Sequence, residues 1–429
     1  MKTSNSFLLL LALFLPTLLL AQSNVTYLYC GRVLDGVGGQ MTNKTIVVED
    51  GKITSVTDGF VGAAAGAKTV DLKQATVMPG FIDLHVHVES ELSPSAYIER
   101  FTVDPSFVAL RATSYMRKTI AAGFTTVRDL GGSGVNISLR DAINAGYIVG
   151  PRIFTAEKAI ATTGGHADPS NGRNEALSFD AGPEAGVINS VDEAWKAVRT
   201  RYKNGADCIK ITATGGVLSV AKDGQGAQFR NEELEAIVAA AKEYGMHTAA
   251  HAHGIGGIQR AIRAGITTIE HGTLMDEETA DLMIEYGTYW VPTLSAGAYV
   301  AEKAKTPGFF PPIIVPKAIS IGSKQKKIFT EMYKKGVKIA FGTDSGVSPH
   351  GDNAKEFGYL VECGVKPMDA ITSATSTAAM ILGQGEALGQ LKAGFTADIV
   401  AVNGNPLEDI HLLEDVDFVM KEGKVIKEQ

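Results

Sequence analysis

The feature that most restricts the fold is a junction repeated along the middle of the chain. In "TIAAGFTTVRDL", "RYKNGADCIKIT", "AKEYGMHTAAHAH", "AIRAGITTIEHGT" and "MYKKGVKIAFGTDSG", a helical stretch runs into a Gly and an apolar strand follows at once. Gly there suits a left-handed helix C-cap, where a missing Cβ removes the steric penalty. "GFIDLHVH", "PRIFTA" and "GTYWVPT" add further apolar segments, giving eight candidate strands. Strands alternating with helices imply parallel βα units. Eight of them over roughly 300 residues predict an α/β chain built as a (βα)8 TIM barrel. A doubly wound open sheet is the main competitor. No G-x-G-x-x-G follows an early strand, so a dinucleotide fold has little support.

The flanks have another character. "TYLYCGRVLDG", "TIVVEDGKITSV" and "AKTVDLKQATVMPG" near the start, and "GQLKAGFTADIVAVNGNP" and "DFVMKEGKVIKEQ" at the end, are short β-rich pieces split by turn residues. They predict one small β-sandwich domain made jointly from residues 23–78 and 387–429, with the barrel spanning 79–386. Residues 1–22 read as a secretory signal peptide. Lys2 precedes an apolar run from Phe7 to Leu20, and cleavage is expected after Ala21 or Gln22. An uncleaved anchor helix is the competing reading. Pro16 and Thr17 interrupt the run, which is shorter than the ~18–20 residues that span a bilayer. The mature protein is therefore expected to be exported, periplasmic or secreted, with no membrane partner once the signal is removed.

The formal net charge of −7 argues against a nucleic-acid partner, whose binding surface is basic. Hydrophobic residues at 45% and charged ones at 20% leave ample material for a core. Cys30, Cys208 and Cys363 are too few and too scattered for a disulfide framework or a metal knuckle.

In a βα barrel, chemistry gathers at the C-terminal ends of the strands. His85 and His87 end the first candidate strand, two residues apart and so on one face. Lys210 ends the fourth, His251 the fifth, His271 the sixth and Asp344 the eighth. Singly, each has an ordinary reading. A strand-end His is often a hydrogen-bonded structural residue, "GTDSG" is a turn signal, and a Lys between Ile209 and Ile211 can snorkel. Jointly, one metal site explains all six. Imidazole and carboxylate ligands suit Zn²⁺ without excluding Mn²⁺ or Co²⁺. No G-x-S-x-G elbow offers a serine nucleophile instead.

"PGFIDLHVH", "CIKITATGG", "HAHG", "IEHGT" and "GTDSG", in this order, resemble the metal-dependent amidohydrolase superfamily. More narrowly they resemble its Xaa-Pro dipeptidase-like, carboxypeptidase-like and ochratoxin-hydrolysing branch. The likeness covers nearly all of the mature chain. H-x-H alone is shared with many deaminases, whereas Lys210 followed by "TATGG" narrows the branch.

The resemblance implies two divalent metal ions. His85, His87 and Asp344 would hold one, His251 and His271 the other, and Lys210, carboxylated by CO₂, would bridge them. It implies a hydrolase that opens an amide or peptide bond in a dipeptide or N-acyl amino acid with a metal-bridging hydroxide, Asp344 carrying the proton. His166, in "TTGGHADP", would stabilise the oxyanion, and the assembly would be a homo-oligomer. His253 would orient a ligand or touch substrate. Arg230 or Lys222, in the long polar loop after the fourth strand, is a candidate for meeting a substrate carboxylate, with solvated surface charge an equally good account. The Pro-rich Thr306–Pro316 segment reads as packing, with a lid or oligomer contact as alternatives.

Two other functions compete. A mononuclear imidazolone-type cyclic amidohydrolase or deaminase would have no need of Lys210. A non-catalytic protein on a degenerate barrel would have lost ligands, yet all six positions are filled.

Overall fold

The computed structural model describes residues 25–220 and 224–428, without the side chains of 321–323. The expected signal peptide and Lys222 lie outside the described residues.

The Gly junctions form as anticipated. Gly123 and Gly265, both at φ 91°, end one helix each and release the chain into a strand. Seven strands result: β5 (Phe81–Val86), β6 (Phe124–Asp129), β7 (Arg152–Thr155), β8 (Cys208–Thr212), β9 (His247–Ala252), β10 (Thr268–His271) and β11 (Tyr289–Val291). They lie in two parallel sheets, of order β5-β6-β7 and β11-β10-β9-β8. β5 and β6 are buried along their whole length, as strands covered on both faces must be.

Backbone hydrogen bonds link the two sheets on both sides. Asp207 N donates to Thr155 O at 2.7 Å and Ile160 N to Lys210 O at 2.8 Å. On the other side, the expected eighth strand contacts β11 through Trp290 N to Lys338 O at 2.9 Å. The same segment meets β5 through Leu84 N to Phe341 O at 3.0 Å and Asp344 N to His85 O at 2.7 Å. It makes isolated parallel bridges rather than a continuous ladder. Asp344, at φ 59°, breaks its extended run.

Strands from both termini share a single seven-stranded sheet. β1 (Thr26–Leu34), β2 (Gln40–Glu49), β3 (Lys52–Asp58) and β4 (Lys68–Pro79) join β12 (Ile399–Asn403), β13 (Phe418–Lys421) and β14 (Lys424–Glu428) in the order β14-β13-β12-β4-β1-β2-β3. Leu28, Ile46, Val70, Ile399 and Phe418 fill its core. β4 passes into β5 at Gly80, whose amide donates to Asp398 O at 2.8 Å. The Pro-rich segment is packing: Phe310 and Ile314 are buried against Val217 and Val300.

Candidate metal centre

The fold brings the six anticipated side chains to one place. His85 lies in β5 with His87 just beyond it, Lys210 in β8, His251 in β9 and His271 at the end of β10. The His85 ring is 5.0 Å from that of His271 and 5.5 Å from that of His87, and His251 is 4.8 Å from His271. One oxygen or nitrogen each from His85, His271 and Asp344 falls within 4.8 Å of the others. His271, Thr293 and Asp344 all have positive φ, at 68°, 51° and 59°. Non-glycine residues in that region are held there by their surroundings, and they gather at functional sites.

Hydrogen bonds to the far ring nitrogens determine what faces the centre. His87 Nδ1 lies 2.8 Å from Gly131 O, which can only accept, so Nδ1 carries a proton. His85 Nδ1 lies 2.9 Å from Glu270 Oε2. Burial alone would raise the Glu270 carboxyl, but Arg128 and His85 outweigh it and hold it down at about 2, so it also only accepts. His271 Nδ1 lies 2.7 Å from Thr293 Oγ1, whose own proton goes to Pro292 O at 2.8 Å. His271 is therefore the donor in that contact. In the neutral rings all three Nε2 atoms are left with lone pairs facing the site.

Those lone pairs meet another acceptor. Asp344 Oδ1 stands 3.2 Å from His87 Nε2 and 3.5 Å from His85 Nε2, and it is buried without an aligned hydrogen bond. Lone pairs turned on a carboxylate oxygen need a cation between them. The donor set, three imidazoles and a carboxylate, therefore fits a divalent metal ion. His85, His251 and His271 have the protonation state this role needs. Burial takes His85 down to about 4, and His251 and His271 well below the ordinary range, which keeps these rings neutral and ready to coordinate. On His87 burial acts the same way, but Asp344 outweighs it and leaves that ring raised.

Lys210 is buried, and its Nζ lies 3.4 Å from His85 Nε2. Burial pushes its ammonium down to about 8, against the pull of Glu270 and Asp344. His251 turns Nε2 to Gly215 O at 3.2 Å, which leaves Nδ1 as its free nitrogen. His253 Nδ1 contacts Thr273 Oγ1 at 2.9 Å, and its ring stacks on His271 at 5.1 Å. His166 stacks on His251 at 4.3 Å, with Nδ1 buried and unpartnered. A Cβ on Gly216 would fall 2.2 Å from the His166 ring, so a glycine is what admits it.

Arg230 is placed elsewhere, which corrects the expectation of a substrate contact. It precedes the helix Asn231–Glu243, is largely exposed, and spends its guanidinium on Glu233 at 3.0 Å and Asn189 O at 3.2 Å. The helix start claims this charge, and the residue does not line the central cavity.

Several supporting residues escaped the sequence reading. Glu270 precedes His271 in "IEHGT", and Arg128 lies in "TTVRDL". An acid and a base inside apolar strands were the available signal. Thr293 and Glu356, which holds the backbone amides of Leu294 and Ser295, carried none.

A cavity of about 970 Å³ opens over the centre. Its floor holds the histidines, Lys210 and Asp344. Leu92, Val217, Val300 and Val347 form an apolar wall, and Arg173 stands among the lining residues. The amidohydrolase family model matches residues 76–426, a span containing every residue of this centre. The chain belongs to the amidohydrolase family. It is a metal-dependent hydrolase of carbon–nitrogen bonds. Ochratoxinase of Aspergillus niger is 33% identical over 432 residues, covering 95% of this chain and 87% of the relative. A solved Xaa-Pro dipeptidase with methionine bound in its active site is 51% identical with TM-score 0.90, covering 94% of this amidohydrolase and 99% of that chain. A prolidase complexed with N-methylphosphonate-L-proline is 35% identical with TM-score 0.85, covering 94% and 100%.

Proposed function

We propose that this amidohydrolase is an exported two-metal enzyme that hydrolyses dipeptides or N-acyl amino acids. The observation that carries the reading is Lys210, a buried amine 3.4 Å from a metal-facing imidazole and without an ion pair among the described residues. A cationic ammonium there would repel any metal. Carboxylation by CO₂, which consumes the neutral amine, turns it into an anionic oxygen ligand. His85, His87 and Asp344 would then hold one ion, His251 and His271 the second, with carboxylated Lys210 between; Zn²⁺ suits this set.

Divalent ions bound here would lower the pKa of water towards neutrality and polarise the scissile carbonyl. The chain's own residues supply the rest. Asp344 takes the proton of the attacking water and returns it to the leaving amine. His166, neutral and aimed into the cavity, donates to the developing oxyanion. His253 steadies His271 and meets the substrate. The apolar wall receives a side chain of the substrate.

The wider organisation belongs to the same proposal. Segment 338–345 would close an eight-stranded barrel over 79–386. The terminal sheet would fold into two layers, a reading supported by Gly51 approaching the backbone of Glu422, which brings opposite ends of the sheet together. Residues 1–22 would direct export and be removed, and the mature chain would form a homo-oligomer. Among the described residues no helix is long and apolar enough to cross a membrane.

The decisive experiment is metal analysis of purified protein with a screen for amino-acid release from dipeptides and N-acyl amino acids. Two ions per chain and release from these substrates are expected. The mononuclear reading draws on the convergence of His85, His271 and Asp344 alone within 4.8 Å. One ion per chain, with turnover of cyclic amides or aminated bases, would establish that alternative.

A further inference from the structure

We infer that Glu270 and Arg128 are positioning residues for His85, fixing which of its ring nitrogens faces the metal. Both side chains are fully buried in the interior, on β6 and β10. Arg128 Nη2 lies 2.9 Å from Glu270 Oε1. A buried ion pair is poor value for stability, because well-packed apolar residues in its place are often neutral or better. Its geometry supplies another reason for its presence.

Glu270 Oε1 is occupied by Arg128 and the Thr268 hydroxyl. Oε2 is thereby left to His85 Nδ1, at 2.9 Å. Arg128 also donates through Nε to Leu84 O at 2.7 Å. Leu84 immediately precedes His85, so the carboxylate is referenced to the strand that carries its target. The consequence is a proton on His85 Nδ1 and a lone pair on Nε2, which points towards Lys210 Nζ at 3.4 Å and Asp344 Oδ1 at 3.5 Å. Of the three rings whose Nδ1 is so held, His87 uses a carbonyl and His271 a hydroxyl, while His85 uses a charged group. Charge-assisted hydrogen bonds are the stronger kind and raise the basicity of the opposite nitrogen. The charged partner thus makes His85 a better electron donor than a carbonyl or hydroxyl in its place would.

The inference rests on reading His85 as a metal ligand, and the test separates the two claims. Ring ¹⁵N spectra of the full chain, stripped of metal and zinc-loaded, are compared for wild type, Glu270→Gln and the double variant Arg128→Met with Glu270→Met. The His85 signal is assigned by its loss in His85→Asn. Stripped wild type is expected to carry the proton on Nδ1. The folded double variant is expected to show mixed tautomers and zinc retention against a chelator weakened by about 10–100-fold, the usual cost of losing such a partner. Glu270→Gln, which keeps an acceptor oxygen, is expected to recover most of both. A wild-type His85 protonated on Nε2 overturns the inference whether or not the double variant folds. So does a folded double variant with unchanged tautomer and zinc retention. Wild type that binds no zinc but keeps the Nδ1 proton leaves the positioning claim standing and removes the metal reading instead.

Discussion

Thr293 Oγ1 lies 2.7 Å from His271 Nδ1, and both residues hold a left-handed backbone, at φ 51° and 68°. For a β-branched residue this conformation is an outlier, costing roughly 1–2 kcal/mol. Gln325 Nε2 clamps the turn by donating to Pro292 O at 2.7 Å. The strain is intelligible if the hydroxyl is needed to hold the His271 tautomer. Thr293→Gly should relieve the backbone and lose the hydroxyl. Urea denaturation of metal-free protein should place its stability within about 1 kcal/mol of wild type. Zinc affinity and kcat/KM should fall by about 10–100-fold. Wild-type zinc affinity in this variant would refute the role given to the hydroxyl.

Lys210→Met keeps the unbranched stem of the side chain and removes the amine. Under the two-metal reading, native mass spectrometry of wild type shows the added mass of one CO₂ and two zinc ions. The variant should lose the first and one of the second, with kcat down by at least about 100-fold, the scale of losing a charge-stabilising group. A variant that keeps two ions and near-normal turnover would exclude a bridging role for Lys210.

Glu356 makes no ion pair among the described residues and accepts from Leu294 N at 2.9 Å and Ser295 N at 2.7 Å. Burial pushes its carboxyl from 4.5 up to about 7, and the two amides pull it only partly back. Between those values the folded state keeps a proton that the unfolded chain has released. Stability contributed by Glu356 therefore falls as pH rises from 4.5 to about 7, and is flat above. Glu356→Gln should remove this component. Denaturation at both ends of the window should show wild type losing on the order of 1–3 kcal/mol more than the variant as pH rises. Asp83, also raised by burial, to about 6, titrates in both proteins, and its repulsion of Glu356 forms part of the difference. Equal slopes would rule Glu356 out as the source.

How much of this was legible in the sequence depended on whether a residue's role was local. His85, His87, Lys210, His251, His271 and Asp344 could be read because strand ends lie at recognisable junctions, and polar groups there stand out. Glu270 and Arg128 could be noticed but not paired, because the two side chains are 142 positions apart and only the folded chain brings them together. Arg230 misled for the converse reason. Its loop looked like a substrate loop, while its actual partner, Glu233, sits three residues on in a helix whose first turn was not delimited. The eighth candidate strand is marked by its apolar run, yet residues 338–345 make only isolated bridges, and the positive φ of Asp344 is a tertiary effect. The shared terminal sheet was visible in composition alone; the pairing of β4 with both β1 and β12 was not.

His166 provides the most direct test of the chemistry. Its ring stacks on His251, its buried Nδ1 has no partner, and it lines the cavity. Burial, helped by His253 and Lys210, takes it down to about 3, so it is neutral at any working pH and can donate one N–H without carrying charge. A donor used only on the developing oxyanion should affect kcat far more than KM. His166→Asn is therefore expected to lower kcat by about 10²–10³ while KM for a dipeptide stays nearly unchanged. Zinc content should not change, since His166 is no ligand in this arrangement. A loss of about tenfold or less falls short of an oxyanion donor and would strike His166 from the catalytic residues. A rise in KM with kcat intact would make it a substrate-binding residue instead.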